Sequence, residues 1–312
     1  MPFGSFHVVN SAATAEQKQN PPAKQAPPVC RNFRICLVAR NLAYAQDYLC
    51  SMYENAAQAL AEVGFAFFVS DLATISDIIA KKKALDMHFW EGTEFWSCTE
   101  SETPQSVYSF GISAAGRPEQ AMTVEVRCVG ASAYSAASAD CSCVWFLTDG
   151  VLFEDHLQAD PYLKFLRSAV ANSKKPACLI VGQTEHWNRN IFGREKNTLT
   201  VLDFCRRILP DPLPDGTALA IHPVTVYGGL EFHHLEQDGT LILCSGSNHS
   251  FHSYLPRMCE LPLLTGLLTM CGIAASRNSF ESNLKDAIHS HFGKIAKNPY
   301  GIVGIIGGED HA

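Results

Sequence analysis

The chain has no Lys/Arg run longer than Lys81, Lys82 and Lys83, and its 24 basic side chains are outnumbered by 31 acidic ones, for a net charge of −7. A polyanion finds no basic stripe to bind at physiological salt, so nucleic acid is not the expected partner. Also missing is an apolar run of bilayer length. The most apolar late stretch, LPLLTGLLTMCGIAA from Leu261 to Ala275, falls short of the roughly 20 residues a spanning helix needs, and reads as a buried helix. The opening MPFGSFHVVNSAATAEQKQNPP carries neither a basic n-region nor a continuous apolar h-region, so a cytoplasmic chain without membrane insertion is expected. No C-x2-C pair occurs among the 12 cysteines. A chain of 312 residues does not need covalent staples to hold a core, and reduced thiols are expected. Cys36, Cys143 and Cys178 sit inside apolar runs, where a thiol behaves as a small buried hydrophobe. Cys141 and Cys143, two residues apart, read as neighbours on one face of a buried strand.

What is present is an apolar fraction of 47%, enough for one sizeable core. Residues 1–29, rich in Pro, Gln, Ala and Lys, read as a solvated tail. Residues 30–277 form the expected domain, and 278–312 a terminal helix with an apolar, Gly-rich tail. The run FRICLVA suits a buried strand, and Asn41 a helix N-cap, with Tyr48, Met52, Ala56, Leu60 and Val63 at helical spacing up to Gly64. FAFFV from Phe65 to Val69 is strand-like, and a helix is expected over Asp71–Lys83. VYSFGIS and MTVEVRCV, parted by AAGRPEQ, predict an antiparallel hairpin, and GASAYSAASAD follows it. CSCVWFLTD, PACLIVGQ and TALAIHPVTV are further strands, with helices expected near Pro161–Asn172, near Asn197–Leu209 and, past a short strand LILCS, over the late apolar stretch. Strands alternating with helices imply right-handed parallel crossovers with helices on both faces, an α/β class.

Strand, helix, hairpin, then three more strand and helix units is an order that resembles the Ras-like P-loop GTPase domain, over Phe33 to Arg277. The resemblance implies a three-layer sandwich with a mostly parallel central sheet and one antiparallel hairpin. It also locates the family's working parts: the phosphate loop at Ala39 to Ser51, the Asp-x-x-Gly at Gly130 to Ser135, and base recognition at Gly182 to His186. Those motifs are missing. A phosphate loop needs glycines to curl its N–H groups inward, a Lys for the β and γ phosphates and a Ser/Thr for Mg²⁺. Between Cys30 and Val63 there is no glycine and no lysine; GASAYS replaces Asp-x-x-Gly, and GQTE the Asn-Lys-x-Asp motif. A triphosphate is not held tightly without cations and donors to meet its charge. Arg40 is the one cation near the right place, either a phosphate contact or a surface arginine. The resemblance therefore implies a pseudo-GTPase with no cofactor. Its partners would be proteins, an active GTPase or another subunit of a bacterial multi-component assembly.

Other constellations point elsewhere. Cys244, His249 and His252, with His234 as a fourth ligand, could hold Zn²⁺ in tetrahedral geometry, though the spacing is not a known pairing. A thiol hydrolase needs an exposed Cys beside a His, and no Cys sits in a signature for it. Ser245-Gly246-Ser247 lacks the preceding glycine of a nucleophile elbow. Carboxyl ends of parallel strands are where α/β folds place ligands, so Asp149, Glu154, Asp155, Glu185 and His186, with Trp187 on the same rim, are candidates for a pocket; the plainer reading of Asp149 is a loop with an N-cap. On these residues rests the alternative of a hydrolase or small-ligand-binding protein. The terminal PYGIVGIIGGEDHA could add a strand to its own sheet or to a partner's edge, the former being favoured.

Overall fold

Residues 32–91, 106–149, 161–182, 219–227, 230–235, 241–245, 256–273, 279–295 and 304–306 are described by a computed structural model. Strand β1 (Asn32–Ala39) is apolar on both faces because it runs through the middle of a sheet: Ile35, Leu37 and Ala39 face one core, Cys36 and Val38 the other. Only Arg40 and Asn41 separate it from helix α1 (Leu42–Ala61). Gly64, at φ +85°, makes the turn out of α1 that a side chain would resist, and β2 (Phe65–Val69) follows. Helix α2 (Leu72–Glu91) is capped by Asp71, whose Oδ1 accepts from the Thr74 N–H at 2.9 Å.

Strands β3 (Ser106–Ala114) and β4 (Arg117–Val129) form the expected hairpin, and β2 pairs antiparallel with β3. Next come α3 (Tyr134–Ser138), β5 (Cys143–Asp149), α4 (Pro161–Asn172), β6 (Ala177–Gly182) and β7 (Leu219–Pro223). A separate two-stranded sheet joins β8 (Leu230–Leu235) to β9 (Leu241–Ser245), and α5 (Leu261–Ile273), α6 (Ser279–Ile295) and β10 (Gly304–Ile306) complete the described elements. The main sheet has eight strands in the order β10-β7-β6-β5-β1-β4-β3-β2. β4, β1, β5, β6 and β7 run parallel, while β3, β2 and β10 are antiparallel to their neighbours.

Two cores flank the sheet, which makes the fold an α/β three-layer sandwich of the small-GTPase type anticipated above. On one face Ile35, Leu37 and Trp145 pack with Tyr48 and Met52 of α1, Leu263 and Leu267 of α5, and Leu284 and Ile288 of α6. On the other, Val38, Phe146, Leu179 and Ile221 lie under Leu163, Leu166 and Val170 of α4. No described helix is long and apolar enough to cross a membrane.

Local differences from the sequence reading have simple causes. The hairpin turn is only Ala115 and Gly116, the latter at φ +75°, because β4 resumes at Arg117 within the stretch read as turn. α2 runs on to Glu91, past the boundary set at Lys83. GASAYSAASAD holds a single 3₁₀ turn at Ala131–Ala133 and α3, since alanine favours helix once a neighbouring sheet buries Ala137. Cys141 and Cys143 do not share a face. Cys141 lies in the turn before β5, where strand alternation does not operate, and it packs in the α4-side core while Cys143 packs in the α1-side core. LILCS is a short strand as expected, β9, paired with β8 in the separate two-stranded sheet. The helix expected near Asn197–Leu209 lies outside the described residues.

Candidate functional site

The place to look is the carboxyl end of β1, the point where the strand order reverses between β4 and β5 and where α/β folds hold their ligands. Asn41 adopts an extended backbone, and its Oδ1 accepts the Tyr44 N–H at 3.1 Å; the Ala45 N–H returns to Asn41 O at 3.1 Å. The start of α1 is therefore a closed cap, with Asn41 and Leu42 both buried, instead of an open ring of amide donors. Two linking residues leave no length of chain to curl around a phosphate.

Side chains occupy the remaining space. Tyr44, buried in the first turn of α1, lies so close over Gly182 at the end of β6 that a Cβ there would fall 1.7 Å from its Oη. Tyr227 packs beside it, ring centroids 6.0 Å apart, and donates its phenol to Asp47 Oδ2 at 2.9 Å. Asp47, only 4% exposed, is also paired with Lys81 Nζ of α2 at 3.2 Å. One buried carboxylate thus ties α1, α2 and the segment after β7 together. Ser51 Oγ reaches Val226 O at 2.8 Å, Tyr48 Oη donates to Cys259 O at 3.1 Å, and Asn55 Nδ2 to Pro256 O at 3.2 Å. Burial pushes the Tyr48 phenol well above the usual range, so it acts as a donor and not as a proton exchanger. On the opposite face Tyr162 of α4 donates to the carbonyls of Val38 and Leu147, 3.1 and 2.8 Å away, filling the crevice between β1 and β5. This is a polar seam that fastens helices to strand ends, with a chemistry of fixed hydrogen bonds.

The sequence candidates fall around this seam unevenly. Arg40 follows β1 directly and is half-buried. Asp149 ends β5, in register with Gly182 of β6. Glu154, Asp155, Glu185, His186 and Trp187 lie outside the described residues. Cys244 is on β9 opposite Glu231, and His234 on β8 opposite Ile242, whereas His249 and His252 lie outside the described residues. Among the described residues no group of three or more His, Cys, Asp or Glu side chains is gathered as a metal site would require.

Cys36, Cys50, Cys128, Cys141, Cys143, Cys178 and Cys259 are buried free thiols. Burial pushes Cys128 up to about 12 and holds Cys143 and Cys178 above the ordinary thiol range. Cys141 alone is held lower: the Cys36 thiol hydrogen-bonds to it, and Arg127 and Lys175 add positive charge, while Cys36 is raised in return. Cys36 and Cys141 are distant in sequence, and no motif announced the pair. Tyr44, Asp47 and Tyr227 were equally hidden; the only trace in the sequence was polar residues on the inner side of an otherwise apolar helix.

At the other end of the strands a pocket of about 460 Å³, counting its solvent-open part, lies between β5, β6, β7 and α5. Its walls include Cys143, Trp145, Cys178, Thr265 and Gly266.

No family model matches the chain, and no curated protein matches it. Among solved structures it is similar to Sup35 complexed with GDP, at TM-score 0.30 and 11% identity over 68% of this chain and 40% of that one. Sup35 complexed with GMPPNP gives TM-score 0.30 and 11% identity over 66% and 40%. The conserved domain of the dynein light intermediate chain gives TM-score 0.32 and 8% identity over 83% and 98%. The chain thus spans about 40% of the length of the Sup35 chains. Likenesses this weak carry no argument, and the fold stands on its own strand order.

Proposed function

We propose that this chain is a GTPase-like module without nucleotide binding that works through protein contacts, as a scaffolding subunit of a multi-component assembly. One observation carries the reading: the place of the phosphate loop is spanned by Arg40 and Asn41 alone and filled by Tyr44, Tyr227 and Tyr162. A phosphate needs inward amides and a mobile cation; here the Tyr44 amide is spent on the helix cap, and Lys81 is paired with a buried carboxylate. That the assembly is bacterial, and that an active GTPase is the neighbour, are expectations from the resemblance alone.

Isothermal titration of the full chain with GTP and GDP in the presence of Mg²⁺ tests the first half, with no heat of binding expected. Micromolar affinity with turnover would refute the proposal. Pulldown with neighbouring gene products tests the second half, and a clean monomer with no partner counts against it.

A small-ligand reading has one observation in its favour, the pocket beneath α5, which opens at the amino ends of the strands instead of the rim where Asp149, Glu185 and His186 were expected to act. Quenching of Trp145 fluorescence by an added apolar ligand would support it.

A further inference from the structure

All five exposed large apolar side chains among the described residues lie on the three elements at one edge of the main sheet: Phe68 of β2, Leu72, Ile75 and Ile79 of α2, and Val107 of β3. Leu72 is 83% exposed and Ile79 62%, spaced along α2 as a single stripe with Ile75. The same helix already buries Thr74, Ile78 and Leu85 against its own domain, so the stripe is a second apolar face.

The edge itself is unprotected. Edge strands are normally blunted by charge, proline or a bulge, because their unpaired N–H and C=O groups recruit other strands. β2 reads Phe-Ala-Phe-Phe-Val, carries none of these devices, and pairs with β3 alone among the described strands. The opposite edge is β10, only three residues long and laid antiparallel on β7.

We infer that β2 and α2 form the contact between two copies of this chain, paired about a two-fold axis. The proposal goes beyond the scaffolding reading and does not depend on whether nucleotide binds. Antiparallel pairing centred on Phe67 sets Phe65 opposite Val69 of the second copy and Phe68 opposite Ala66 of the second copy, large against small on the outer face. Ala66 is exposed and leaves that room. The far end of the Phe68 ring packs over Gly111 of β3, where no side chain stands in its way. The two-fold also runs the α2 helices antiparallel, matching Leu72 to Ile79 of the second copy. Self-complementarity of shape, in β2 and along the α2 stripe, selects a second copy as the occupant.

Sedimentation velocity on the full chain at tens of micromolar is the test, with a dimer expected. Ala66→Lys and Ile79→Asp, both at exposed positions, should each weaken the dimer at least tenfold while leaving circular dichroism and the melting midpoint unchanged. A second measurement works without disrupting anything: Leu72→Cys and Ile79→Cys proteins, mixed under mild oxidation, should form cross-linked dimers faster than either alone. A monomeric wild-type chain overturns the proposal, including the case in which a different protein covers this edge. So does a dimer that survives both charge substitutions, or one whose mixed cysteine variants fail to cross-link preferentially.

Discussion

Tyr44 occupies the volume that any side chain at Gly182 would need, its Oη lying 1.7 Å from where the Cβ would stand. The glycine is required by packing, and its neighbour comes from a helix more than a hundred residues earlier in the chain.

Gly182→Ala should therefore destabilise the fold by about 1–3 kcal/mol, the range of overpacking in a filled core. Tyr44→Ala leaves a cavity and is costly by itself, but combined with Gly182→Ala it should cost less than the sum of the two. Urea denaturation of the four proteins in a double-mutant cycle reads the coupling, and additivity would show that the two residues do not touch.

Tyr227→Phe keeps the ring against Tyr44 and deletes only the hydroxyl that Asp47 accepts from. Hydrogen bonds to charged groups contribute about 1.5–3 kcal/mol, and a loss of that size is expected. Asp47→Ala should be worse, because it strips partners from both Tyr227 and Lys81. Equal midpoints for the two variants would place the carboxylate outside the seam.

His222 supplies a pH dependence. Burial alone holds its imidazole down to about 3, against 6.5 for a free histidine. Between those values the unfolded chain takes up a proton that the folded chain refuses, so this contribution to stability falls as pH falls. One such residue removes about 2 kcal/mol between pH 7 and pH 5. His222→Leu should flatten that part of the slope, measured as the difference in urea midpoint between the two pH values. An unchanged slope would mean that the histidine is protonated inside the fold.

The α/β class, the hairpin and the strand-capped helix α1 were readable because each rests on a local pattern. Asn41 is a good N-cap whatever lies around it, Gly64 and Gly116 are turn signals by residue type, and CVWFLTD is apolar enough to be a central strand. The missing phosphate motifs were equally local. What filled the gap was not, since Tyr44 meets Gly182, Asp47 meets Tyr227 and Cys36 meets Cys141 only after strands far apart in sequence come side by side. Cys141 shows the same limit from the other direction: its period-two relation to Cys143 failed because β5 starts two residues too late to include it. The edge position of β2 was likewise invisible, since an FAFFV run reads alike in the middle of a sheet and at its border.

The three residues of β10 decide how far copies can accumulate. The proposed two-fold pair spends the β2 edge of both copies on each other, and the main-sheet border then left among the described strands is β10, whose three residues are the short kind of edge that resists further pairing. A few terminal residues act as the stopper that makes an otherwise adhesive border safe to carry.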